Sequence, residues 1–346
     1  MAKRQLTRST HHVYSMPVLI LMAHSRCNCR CLMCDIWKAN RNGQEISRET
    51  LDANIEAIRQ LGVQWVVLSG GEALMHSNLW TLCEALKALN VKITVLSTGL
   101  LLKLRAAEVV EWCDEVTVSL DGSRDVHDAI RRVPRAFDRL AEGVAAVKAL
   151  DPTFPVTGRC VIQRENYADL PNIIDAARDI GLNSISFLSV DVSSSAFNRP
   201  EPWGDERIDE VALSPNEVAE FAQLVERTID DHGADFARGF VAESPDKLRR
   251  LPRYFAALNG GGDFPETFCN APWVSAVIET DGAVRPCFFH DAYDGNVNEQ
   301  PLEEIINSPQ AIEFRRNLDV KTNHICRKCV CTLQLGVRSP VSVSGD

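Results

Sequence analysis

Six short apolar runs alternating with helical periodicity predict an α/β fold on a parallel sheet, either an open doubly wound sheet or a barrel or partial barrel. Two further observations support that frame. Each run is nearly continuously apolar, as a strand buried on both faces is. Polar and glycine residues directly follow the runs, at the strand ends where α/β folds bind ligands.

The runs cover residues 18–21, 63–68, 91–96, 116–120, 156–162 and 184–190. Between them lie apolar stripes at helical spacing. Ser47 can cap a helix carrying Leu51, Ile55, Ile58 and Leu61. Leu79, Leu82, Leu86 and Leu89 form a second stripe, and Phe137, Leu140, Val144 and Val147 a third. Leu170, Ile173, Ala177 and Ile180 form a fourth, and Ser214-Pro215 opens a fifth with proline at the first helical position. All five are assigned to core packing. After residue 231 the alternation stops. A Gly260-Gly261-Gly262 stretch precedes Cys269, residues 274–279 and 283–287 flank an Asp281-Gly282 hairpin turn, and a helix is expected over about 302–317. The chain thus divides into an N-terminal tail (1–16, with His11-His12 exposed), an α/β unit (17–231), a linker or helical segment (232–264), a small appendage (265–335) and a C-terminal tail (336–346).

A chain of 346 residues buries a full core without disulfides, so its 12 cysteines need another explanation. The basic, polar N-terminus lacks the apolar core of a signal peptide. The longest apolar run, about 17–23, is far short of the ~20 residues of a membrane span. A cytoplasmic location, with no membrane, follows as the expectation, and there cysteines point to metal or redox chemistry. The net charge of −10 argues against broad nucleic-acid binding.

Three cysteines, Cys27, Cys31 and Cys34, follow the first run at a spacing that lets them point inward from one tight loop. Soft thiolates select zinc, copper(I) or iron–sulfur clusters. Three on a [4Fe–4S] cluster leave one iron open; adding Cys29 makes a zinc knot conceivable. The second run ends in Gly70-Gly71-Glu72, where paired glycines let a ligand approach the backbone and the carboxylate could take an ammonium. The third ends in Ser97-Thr98-Gly99 and the fourth in Ser119-Leu120-Asp121-Gly122.

The cysteine triad with Gly70-Gly71-Glu72 resembles the radical S-adenosylmethionine (radical SAM) superfamily. Ser119-Leu-Asp-Gly, followed by His127-Asp128 and Arg131, resembles its subgroup with C-terminal SPASM or twitch domains. The resemblance implies a partial (β/α)6 TIM-type barrel with a small iron–sulfur appendage. It implies that the triad holds a [4Fe–4S] cluster whose open iron is chelated by SAM. It also implies cleavage of SAM to a 5′-deoxyadenosyl radical that abstracts hydrogen from substrate, with oxidation, epimerisation, rearrangement or crosslinking as the outcome. By position, Gly70, Gly71 and Glu72 correspond to the holders of the methionine amino group, and Thr98, Ser119 and Asp121 to contacts of the ribose or methionine. Arg159 suits the methionine carboxylate, and Met33, before the third cysteine, lies where adenine packs. Cys160, on the fifth run, is a candidate hydrogen-atom donor to a substrate radical or a packed strand residue.

Cys269, Cys287, Cys326 and Cys329 resemble the ligand set of a twitch appendage with one auxiliary [4Fe–4S] cluster. Cys331 competes as a ligand, and a structural zinc is the alternative. Cys83 and Cys113 are expected as small core residues. Residues 191–205, with Phe197, Arg199 and Trp203, offer a lid, and residues 247–253 a basic face. The first 16 residues are too short for the leader-binding domain of peptide-maturing relatives, which favours a small-molecule or carrier-bound substrate over a peptide. The expected partners are that substrate and an electron donor such as flavodoxin or ferredoxin. A non-catalytic zinc- or iron–sulfur-binding α/β protein is the reading of another class.

Overall fold

Each of the six apolar runs forms a strand: β1 (Val18–His24), β2 (Trp65–Gly70), β3 (Lys92–Ser97), β4 (Glu115–Ser119), β5 (Val156–Ile162) and β6 (Ser184–Ser189). In the computed structural model, which describes residues 2–336, they lie parallel in sequence order, joined by helices. Residues 337–346 of the expected C-terminal tail lie outside the described residues. The hairpin strands β7 (Ser275–Ile278) and β8 (Val284–Arg285) extend the same sheet, because β7 pairs parallel with β1. The order is β6-β5-β4-β3-β2-β1-β7-β8, the open sheet of a partial barrel.

Strand parity gives the two faces different jobs. Leu19, Leu21, Val66, Leu68, Ile93, Val95, Val116, Val118, Val156 and Ile162 join the large core beneath the helices. The opposite, inner face is polar in its middle. Trp65 donates its indole N–H to Thr94 Oγ1 (2.9 Å), Lys92 pairs with Glu115 (2.7 Å), and the Thr117 and Thr157 hydroxyls meet at 3.0 Å. Val18, Val274 and Leu335, with Ile20, Trp65, Trp273 and Leu333, form a separate apolar cluster below these groups. The chain after the last cysteine therefore returns to close the inner face near the start of β1.

Local signals set most helix starts. Ser47 Oγ accepts from Thr50 N, and Ser214 and Glu217 form a reciprocal capping box. Such a cap contributes about 1 kcal/mol. Two elements differ from expectation. The helix expected over 302–317 is two helices, Leu302–Ile306 and Pro309–Asn317. Pro309 has no N–H to continue the first, and Ser308 caps the second through Ala311 N. The N-terminal segment forms a helix, Ala2–Thr10, and is tied down beyond it: Arg315 Nε donates to His11 O (2.7 Å), and Trp273 packs on the His11 ring. His11 and His12 are accordingly half-buried instead of exposed. Among the described residues no helix is long and apolar enough to cross a membrane.

Candidate functional site

The Gly70–Gly71 pair seats the cysteine loop. A Cβ on Gly70 would stand 2.2 Å from His24 O, and one on Gly71 2.2 Å from Arg26 O. Gly71 N donates to His24 O (2.7 Å) and Glu72 N to Arg26 O (2.8 Å). The close approach expected of a ligand is thus made by the chain itself, which crosses over the end of β2 just before Cys27. On the loop's other side, Arg30 N and Leu32 N donate to Arg131 O and Ile130 O (3.1 Å each), at the end of helix Arg124–Arg131. Asn40 closes the base through both amide atoms, 2.9 Å from Cys27 N and O.

Cys27 and Cys34 are half-buried and Cys31 is buried. Hydrogen bonding from Cys29 is the largest influence on Cys31 and, with the Arg131 guanidinium, brings its thiol down to about 7. Arg131 Nη1 lies 3.5 Å from Cys31 Sγ. Burial pushes Cys34 up to about 12, and its sulfur accepts from Ile36 N at 3.5 Å. Hydrogen bonding with Cys27 and Cys31, and then burial, push the thiol of Cys29, 1 % exposed, well up.

The expected SAM-contact residues separate into two groups. Glu72 is fully buried, and its carboxylate accepts from Leu74 N (3.0 Å), Ser97 Oγ (2.9 Å), Thr98 N (2.6 Å) and Thr98 Oγ1 (2.6 Å). It clamps the end of β2 to that of β3 and leaves no oxygen waiting for an ammonium. Asp121 is equally buried. It accepts from Val161 N (2.9 Å) and pairs with Arg131, so it stands behind the guanidinium that faces Cys31. Ser119 and Arg159, by contrast, are register partners on the inner face, both half-exposed, and Arg159 Nε has no hydrogen-bond partner. Met33 is 8 % exposed, with Gln163 Nε2 3.5 Å from its sulfur. Cys160 is not brought to this place. It shares the helix-facing side of β5 with Gly158 and Ile162, is 0 % exposed, and lies 3.6 Å from Asn166 Nδ2.

The second cysteine set gathers near β8. The thiols of Cys269, Cys287, Cys326, Cys329 and Cys331 stand close enough to influence one another electrostatically. Burial pushes the Cys269, Cys287 and Cys329 thiols up, and nearby backbone amides act against it: Ala271 and Leu333 at Cys269, Phe289 and His290 at Cys287, and Cys331 at Cys329. Cys331 is exposed. Of the other cysteines, Cys83 and Cys113 are buried, as expected of small core residues.

Residues 191–205 join the two regions. Arg199, its side chain fully buried, pairs with Asp191 (2.8 Å), donates to Met33 O (3.2 Å) and stacks on Trp203 (3.8 Å). Trp203 Nε1 donates to Asp35 Oδ2 (3.1 Å). Phe197, at φ 62°, packs on Phe288 at 4.9 Å, beside Cys287. The aromatic and arginine content of this segment signalled a lid; its role as a strap between the cysteine sets was invisible without the fold. In the basic face, Arg249 is neutralised by Glu226 (2.8 Å) and Asp246 (2.9 Å).

The profile of the Radical SAM superfamily matches residues 23–177, and that of an iron–sulfur cluster-binding domain, SPASM, matches residues 269–330. The AdoMet-dependent heme synthase of Methanosarcina barkeri is 24% identical over 316 residues, covering 85% of this chain and 82% of the relative. The PqqA peptide cyclase of Gluconobacter oxydans is 26% identical over 326 residues, covering 91% and 82%. SuiB of Streptococcus suis, solved with S-adenosylmethionine, shares the fold at a TM-score of 0.62 and 14% identity, covering 95% of this chain and 75% of that one. With a parallel α/β sheet, a cysteine loop at the end of its first strand and a second cysteine set near β8, this chain carries a radical SAM superfamily domain over residues 23–177 and an iron–sulfur cluster-binding domain of the SPASM type over residues 269–330.

Proposed function

We propose that Cys27, Cys31 and Cys34 hold a [4Fe–4S] cluster with SAM on its open iron, and that Cys269, Cys287, Cys326 and Cys329 hold one auxiliary [4Fe–4S] cluster. The observation that carries the first assignment is the loop's electrostatics. Arg131 lies at Cys31, and its cationic charge offsets the thiolates. The donor chemistry fits: three thiols on one loop, and Arg131 Nε and Asn28 Nδ2 buried beside it without partners. The same fit holds at the second set, where four thiols on three segments are influenced by backbone amides or lie beside a buried imidazole.

Bound there and reduced by one electron, the cluster and SAM supply a 5′-deoxyadenosyl radical. The chain's own contribution is to hold, orient and exclude water. Ser119 and Arg159 offer a hydroxyl and an unpartnered guanidinium on the inner face, suited to the polar end of SAM. Glu72 and Asp121 act one step back, by fixing Thr98 and Arg131. The apolar cluster of Val18, Val274 and Leu335, with Trp65, Trp273 and Leu333 packed against it, lies at the start of β1.

The favoured substrate is a small molecule or a carrier-bound group, in keeping with the relative named for heme synthesis. A precursor peptide is the second reading, supported by the relative named as a peptide cyclase. Flavodoxin or ferredoxin in the cytoplasm is the proposed electron source. Anaerobic reconstitution should yield about eight iron and eight sulfide per chain. Reduced protein with SAM should release 5′-deoxyadenosine, and Cys31→Ala should abolish that release. Stoichiometric zinc in a colourless protein would overturn the assignment. Deuterium transfer into 5′-deoxyadenosine from a labelled porphyrin, but not from a labelled peptide, would support the small-molecule reading; the reverse would select the peptide.

A further inference from the structure

His290 lies three residues beyond Cys287 and outside the cysteine set itself. It is 6 % exposed, and its Nε2 lies 3.3 Å from Cys326 Sγ. The contact fills a gap. Backbone amides act to lower the thiols of Cys269, Cys287 and Cys329, whereas none acts on Cys326, whose sulfur meets the imidazole instead. The reason is local. Cys326 sits inside the short helix His324–Arg327, whose nearest amides are already used: Cys326 N donates to Asn323 Oδ1 (3.1 Å), and Lys328 N and Cys329 N donate to the carbonyls of Ile325 and Cys326.

The imidazole is held for this contact from three sides. The amide of the same residue acts to lower the Cys287 thiol, its carbonyl accepts from Arg285 Nη1 (3.0 Å), and the Phe314 ring meets the imidazole edge-on at 5.1 Å. We infer that His290 is a positioning and tuning residue of the auxiliary cluster, donating Nε2–H to the Cys326 thiolate. This rests on the assignment of a cluster to that cysteine set. A cluster-bound thiolate carries no proton, so in this pair the imidazole is the donor. A hydrogen bond to a cluster sulfur draws electron density from the thiolate and stabilises the reduced cluster, and potentials of such clusters follow the hydrogen bonds to their sulfurs.

The test uses the full chain with Cys27, Cys31 and Cys34 all changed to Ala, so that only the auxiliary cluster remains. This background should keep about four iron and four sulfide. If it holds none, the cluster assignment itself fails and His290 loses its role with it. With the iron present, His290→Leu should shift the midpoint potential to more negative values at unchanged iron content, and His290→Gln should recover part of the shift. An unchanged potential in His290→Leu would overturn the inference. A second readout needs no variant at His290. Pulsed EPR of the reduced background in deuterated buffer should show an exchangeable proton coupled to the cluster and only weak nitrogen coupling. Strong nitrogen coupling would make His290 a ligand and overturn its assignment as a donor.

Discussion

The Cys27–Cys34 loop carries its sulfurs on one short stretch, whereas the C-terminal set draws its own from three segments between Cys269 and Cys331. The first is held from beneath, by backbone crossings at Gly70–Gly71, by helix carbonyls at Ile130 and Arg131, and by one guanidinium. The second is held sulfur by sulfur, through amides at Cys269, Cys287 and Cys329 and an imidazole at Cys326. A contiguous ligand loop needs a seat; a dispersed ligand set needs the fold around it to be complete. The difference predicts that damage to the seat removes one site and spares the other.

Gly71→Ala should be the most damaging break of that kind. Its Cβ would meet the Arg26 carbonyl at 2.2 Å, a backbone atom that cannot move without shifting Cys27. Iron should fall to about half after reconstitution, with release of 5′-deoxyadenosine lost. Full iron in this variant would show that the crossing does not govern the loop. Arg131→Met comes next. It leaves Asp121 buried and uncompensated and takes the cation from Cys31, so it should cost about 3–5 kcal/mol in denaturant unfolding and weaken the first cluster before the second.

The barrel was legible because burial writes itself locally. Six runs alternate with helical stripes, and β5 has the bounds 156–162 that its apolar run marks. The thiol spacing marked both cysteine sets. What could not be seen is which partner each polar residue has. Gly70 and Gly71 signal close approach without saying that the approaching atoms are His24 O and Arg26 O. Glu72 and Asp121 are carboxylates at strand ends, yet their hydrogen bonds come from Thr98 and Val161, 26 and 40 positions away. Cys160 lies next to Arg159 in sequence and on the opposite face of the sheet, a distinction strand parity could have made once the inner face was known. His290, three residues after Cys287, carried the one available signal, a histidine beside a thiol ligand, and it passed unnoticed because its partner Cys326 is 36 positions on.

Two milder changes probe the dispersed site. Asn270 holds the returning segment through its side chain, donating to Leu335 O (2.7 Å) and accepting from Leu335 N (2.9 Å). Asn270→Ala strips both bonds from a buried backbone and should cost about 1–3 kcal/mol. Since Asn270 N also donates to Leu333 O, next to Cys269, and Leu335 packs with Val18, the auxiliary site should lose iron at lower denaturant than the first. Simultaneous loss from both sites would mean that the returning segment supports the whole sheet.

Cys331→Ser should do least. The residue is exposed, and its contact with Cys329 is made by backbone: Cys329 Sγ lies 3.2 Å from Cys331 O. Serine keeps that carbonyl and its amide, so stability should change by no more than about 0.5 kcal/mol, as for other surface substitutions. Iron should stay at about eight per chain, whereas Cys329→Ser should lower it to about four. If Cys331→Ser and not Cys329→Ser lowers the iron, the two residues exchange roles. The dispersed site would then take its last ligand from an exposed stretch of chain, and its dependence on a complete fold would stop at Cys326.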